Sequence, residues 1–271
     1  MVNEPSPATE PTTPPLPPAR PRKPVGMGDV LLGFLYSQVL ATIPVIAALF
    51  VGMITLARVN PDATPTEATD YLLTFASGGA VIFGAMILGW AGFMFATYWA
   101  ATHKGDGDWR TLLKWRFKAS RDIPIAIAFV VIGRGLEWLA LLGLQAAGVD
   151  TESIGNTSTI LDTTGIWLVL IAIGAVIGAP LVEEIFFRGL FLSVAVRNYG
   201  KVAAVILTSV VFGVLHMQAT LASAIFTVTS ATILGVAFAL LVLRTNRLGP
   251  AIASHIAFNA SGVTLALLVG L

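Results

Sequence analysis

The chain has 271 residues, 56% of them hydrophobic and only 11% charged, whereas soluble domains carry about 25% charged residues, so the composition excludes a water-soluble globular protein. A formal net charge of +1 offers no global attraction to nucleic acid. The absence of cysteine excludes disulfides, thiol catalysis and thiolate zinc sites, leaving His, Asp, Glu and Asn as the only strong ligands for a metal.

Nine of the fifteen prolines fall between Asn3 and Pro24, with no apolar run among them. Residues 1–28 are therefore expected to form a disordered, partly polyproline tail rather than a signal peptide or a packed element. Crossing the hydrocarbon core takes about 20 apolar residues in a helix. Seven stretches come close: residues 30–57, 72–101, 123–148, 165–196, 202–217, 221–243 and 250–270. Pro124 and Pro250 stand at helix starts, where a missing N–H costs nothing. The expected fold is an all-α integral membrane protein of about seven transmembrane helices. Residues 29–164 supply three of them with a basic loop, and residues 165–271 supply a four-helix core that carries the chemistry.

Lys and Arg collect in cytoplasmic loops. Of the sixteen basic residues, thirteen fall on one side of the alternating loops, and Arg58 is alone on the other. This predicts a cytoplasmic N-terminus and an outside C-terminus. Between Trp109 and Arg121 the sequence interleaves Trp, Leu and Phe with basic residues, as either an interfacial helix on anionic lipid or an ordinary basic loop would.

Arg134, Glu137, Glu183, Glu184 and Arg188 remain inside the spans, as do His216 and His255. An isolated Arg, Lys or Asp at the bilayer centre costs about 2.5 to 3.5 kcal/mol, and Glu should be similar, so these groups need partners or a watery cavity. Arg134 and Glu137 are spaced as a self-satisfied pair, and Glu184 and Arg188 share a helix face. Depth follows from a rise of about 1.5 Å per residue. Glu183 lies fourteen residues before Arg197 and His216 fifteen after Lys201, so both sit roughly 21 to 23 Å from the same turn. His255 and Asn259, eight and twelve residues past Arg247, come to about 12 and 18 Å from their own turn, on one face. Pro180 cannot bond to the carbonyl of Val176, so the helix should kink and free a carbonyl beside the carboxylates. Gly174 and Gly178 offer a close approach to a neighbouring helix.

Three patterns now stand in order on successive helices: Glu183-Glu184-Ile-Phe-Phe-Arg188, Phe212-Gly-Val-Leu-His216 and His255-Ile-Ala-Phe-Asn259. Together they resemble the CPBP family of intramembrane proteases, which includes the CAAX proteases and Abi proteins (type II CAAX prenyl endopeptidase-like). The resemblance covers residues 165–270 and leaves the first three helices and the tail without assignment. It implies an endopeptidase acting on a membrane-associated protein or peptide, with Glu183, Glu184, His216, His255 and Asn259 as catalytic residues and Arg188 as charge partner of Glu184.

Two versions of the chemistry remain open from sequence. In one, Glu183 with His216 activates water while His255 and Asn259 hold the oxyanion. In the other, His216, His255 and a glutamate such as Glu184 bind a divalent ion, zinc being the natural choice, and the other glutamate acts as base. A proton- or ion-coupled transporter also places Glu, His and Arg at mid-membrane, but no inverted repeat accompanies them. A non-catalytic immunity or scaffold protein is the third reading, against which the intact residue set argues.

Overall fold

The structure is a computed structural model that describes residues 23–104, 114, 116–149, 151, 163–218 and 220–269. The proline-rich part of the tail and Trp109 through Leu113 lie outside the described residues, so the two readings of the basic stretch stand as they were. Within it Arg116 to Lys118 are non-helical.

Every described element is a helix. α1 (Met27–Val59) begins on a reciprocal cap: the Gly26 N–H donates to Asp29 Oδ2 at 2.8 Å, which neutralises one of the four orphan donors of a helix start. α2 (Pro65–Ala76) and α3 (Gly79–His103) replace the single expected span over 72–101. Thr64 and Glu67 form a capping box ahead of Pro65 at the first helical position, so the chain turns helical earlier than its apolar run begins. At twelve residues, α2 is about 18 Å long and too short to span. The break at Ser77 and Gly78 follows, and a side chain at Gly79 would strike Trp167.

α1 and α3 pack tightly because Gly92 lets the backbone of Tyr36 and Ser37 lie against it, with no room for a Cβ. Such small-residue crossings are what hold helices together where lipid competes for every apolar surface. α4 (Ala119–Ala146) comes next.

A continuous helical run then extends from Gly165 to Val214. Its parts are α5 (Gly165–Ile173), a π-helical stretch Gly174–Gly178, α6 (Ala179–Glu184), a second π stretch Ile185–Phe191, and α7 (Leu192–Val214). The run reverses at Gly200, whose φ of 80° lies in the left-handed region, which a residue without a Cβ enters at no steric cost. It is therefore two antiparallel arms. With α8 (Leu221–Thr245) and α9 (Gly249–Val269), the chain has the expected seven legs. Among the described residues, six helices are long and apolar enough to cross a membrane when the 50-residue run counts as one. The protein is an integral, multi-pass membrane protein.

Three contacts gather the ends of the legs. Lys104 Nζ reaches Asp29 Oδ1 at 2.6 Å, Arg197 donates to the Val25 carbonyl, and Arg247 grips the buried Asp122 with two bonds of 2.8 Å. Basic loop residues thus lock one end of the bundle. At its core Phe186 is fully buried, with ring centroids of Phe34 and Phe93 at 5.0 and 4.3 Å.

Candidate active site

Beside Pro180 the helix leaves the α register, and a second carbonyl is affected besides that of Val176, to which Pro180 cannot donate. The Ala179 N–H bonds to Gly174 O, in the five-residue register of a π turn. In that register the Ala175 carbonyl would receive the N–H of residue 180, and proline has none. The Ala175 carbonyl thus lacks a helical donor as well. Asn259 Nδ2 donates to it at 2.8 Å, so α9 repairs the defect in the helix opposite. On the other side α3 closes in: a Cβ on Gly178 would come 2.5 Å from the Trp90 ring, and one on Gly174 would lie 2.7 Å from the end of Met86.

Glu183 and Glu184 end α6, between the two π stretches. Adjacent helical residues diverge by about 100°, and here the two carboxylates bracket one imidazole. His255 Nδ1 lies 3.0 Å from Glu184 Oε1, and its Nε2 lies 3.8 Å from Glu183 Oε2. A carboxylate only accepts, so Nδ1–H donates to Glu184 and Nε2 is the nitrogen turned to Glu183. His255 is 4% exposed and stacked on Phe238, ring centroids 4.8 Å apart.

Arg188 backs this group. Its Nη1 lies 3.2 Å from Glu184 Oε1, with both side chains almost wholly buried. The contact is off the hydrogen-bond direction, since Nη1 has no hydrogen-bond partner among the described residues, so it is a contact of charges. Arg188 Nη2 does donate, to the Gly235 carbonyl at 3.2 Å, and its guanidinium lies 4.4 Å over the Phe212 ring. Gly235 permits this approach: a Cβ there would crowd Ser209 at 3.1 Å and Arg188 at 3.3 Å. A lone glycine inside the apolar run of α8 was the sequence signal for that contact. Nothing comparable marked Phe238.

His216 stands just past the end of α7. Its Nδ1–H donates to the Phe212 carbonyl at 2.7 Å, which leaves Nε2 as the free nitrogen. It joins the others through Phe212, whose ring lies 4.6 Å from that of His216 and 5.9 Å from that of His255. The structure thus brings Glu183, Glu184, Arg188 and His255 into one group, sets His216 across a phenylalanine from it, and ties Asn259 to Ala175. The oxyanion duty expected of Asn259 is left with only its second amide hydrogen. As arranged here, no three His, Asp or Glu side chains converge on an ion among the described residues, whereas a catalytic zinc takes three; His216 and His255 each bond through Nδ1, which leaves Nε2 as the nitrogen that either could offer a metal.

Arg134 and Glu137 are not a self-contained pair. Arg134 Nη1 meets Glu137 Oε2 at 2.5 Å, but the guanidinium also reaches across to α9.

The seven-legged bundle and its buried acid–imidazole group define an integral membrane protein with ionisable chemistry at the meeting point of three helical legs. Residues 165–261 match the family model described as type II CAAX prenyl endopeptidase Rce1-like, which supports assigning this part of the chain to the CAAX protease family. At the level of the family the protein is a CAAX-protease-like intramembrane peptidase, working in the bilayer on membrane-associated protein substrates. No curated protein and no solved structure matches the chain.

Proposed function

We propose that the protein hydrolyses a peptide bond of a membrane-associated substrate with water activated by Glu183, without routing any step through a metal. The observation that carries this reading is His255 held between two carboxylates, with Nδ1 on Glu184 and Nε2 toward Glu183. Glu183 Oε2 is buried and has no hydrogen-bond partner among the described residues, so it is available to a water molecule. In the reaction the water oxygen bonds to the carbonyl carbon while Glu183 takes its proton. The proton passes to His255 Nε2. The resulting imidazolium is stabilised by Glu184 through Nδ1–H, and it protonates the amine as the C–N bond breaks. The second amide hydrogen of Asn259 faces the charge that develops on the carbonyl oxygen.

The locked basic end of the bundle, with Lys104, Arg197 and Arg247, is assigned to the cytoplasm by the positive-inside rule. The N-terminus is then cytoplasmic and the C-terminus outside. The family description names a prenyl endopeptidase, so prenylated and unprenylated peptides are the substrates to compare.

Purified protein in detergent should cleave members of a library of such peptides, and treatment with a chelator should leave the rate within about twofold, because metal-dependent sites lose their ion under chelation. Loss of activity on chelation, restored by zinc alone, would overturn the metal-free mechanism. Absence of any cleavage would overturn the endopeptidase reading.

A further inference from the structure

Arg134 lies inside α4, on a leg that the family match does not cover, yet its guanidinium makes more contacts than any role as a partner for Glu137 requires. Nε donates to Ser261 Oγ at 2.9 Å and Nη2 to the Phe258 carbonyl at 2.6 Å. The Ser261 hydroxyl also donates to that carbonyl, at 2.7 Å. The guanidinium lies 3.8 Å over the Phe258 ring. Two glycines shape the socket. A Cβ on Gly262 would sit 2.5 Å from Arg134 Nη2, and one on Gly133 would sit 2.8 Å from the Phe258 ring. Fork geometry of this kind fixes both position and rotation, which a single point charge cannot do.

The gripped turn, 258–262, includes Asn259, and His255 stands on the preceding turn. A chain of rings leads to the same place by another route: Phe258 to Phe129 at 6.2 Å, Phe129 to Phe238 at 4.9 Å, and Phe238 to His255 at 4.8 Å. We propose that Arg134, with Glu137 beside it, is a positioning residue that sets the height and rotation of α9, and thereby where His255 and Asn259 meet Glu184 and the Ala175 carbonyl. Glu137 keeps the guanidinium charge compensated within the membrane and holds one of its nitrogens, so that the other two point at α9. The kinetic part of this proposal rests on the endopeptidase reading; the geometric part does not.

The test uses the full-length protein in detergent. In Arg134→Met/Glu137→Met, which removes both charges together and strands neither, kcat should fall about tenfold to a hundredfold, as expected of a small misplacement of catalytic groups, with KM changed by less than about threefold. The 15N signal of His255 Nδ1, identified by its loss in His255→Gln, should move. Arg134→Lys should recover less than half of the lost rate, because lysine cannot make the fork. Gly262→Ala keeps both charges and displaces the guanidinium, so it should move the same signal even if the double variant does not fold. A wild-type rate with an unmoved His255 signal in the double variant would overturn the proposal, as would an unmoved signal in Gly262→Ala. If the wild-type protein cleaves nothing, the endopeptidase reading fails, and the His255 signal alone decides this one.

Discussion

Glu183→Gln is expected to abolish turnover, lowering kcat by about 10² to 10⁴-fold while leaving the protein folded, since that is the range a general base contributes. Glutamine keeps the size and shape of the side chain but cannot accept the proton of a water molecule at neutral pH. Glu183 makes no charge contact with Arg188 as close as that of Glu184, and it faces His255 at 3.8 Å rather than through a full hydrogen bond. Little stability should therefore be lost with its charge. The measurement is the initial rate on a cleaved peptide alongside the thermal midpoint in detergent. A near-normal rate would show that the base has been misassigned.

Glu184→Gln should act through a different route. Glu184 is fully buried, holds His255 Nδ1 and faces Arg188. Removing its charge leaves a buried guanidinium uncompensated, a change that costs about 3 to 5 kcal/mol. The midpoint should drop clearly. Arg188→Met in the same chain removes the stranded charge and should restore much of that loss, whereas the rate should stay low in both variants because the His255 imidazolium loses its counter-charge. Unchanged stability in Glu184→Gln, or no recovery in the double variant, would show that the 3.2 Å contact is not energetically coupled.

The sequence was informative wherever a single residue's physics decided the outcome. Runs of apolar residues and a basic turn set the legs, because a helix of given length either spans the bilayer or does not; the short polar segment before Lys201 turned at Gly200. Depth arithmetic placed Glu183 and His216 at one height but carried no rotation about the helix axis. The structure seats His255, not His216, between the two carboxylates, and reaches His216 through the Phe212 ring. The π stretches were also out of reach. π stretches are rare and carry no local sequence signature; the Gly174 and Gly178 spacing announced a close approach there, but neither Trp90 and Met86 as the neighbours nor the change of register. The split between α2 and α3 was missed for the opposite reason. The Thr64–Glu67 cap is a local signal, but the hydropathy of the run that follows hid it.

The bond from Asn259 to the Ala175 carbonyl makes positions 180 and 259, 79 apart in the sequence, into a single unit of variation. A residue with an N–H at position 180 could give it to Ala175 O in the register that Ala179 already uses with Gly174. The amide of Asn259 would then be released from its structural duty. A chain that keeps proline at 180 needs a donor at 259, and a chain that loses the proline sets residue 259 free to change its partner. Neither residue can be read on its own, and a substitution at one is a change in the chemical environment of the other.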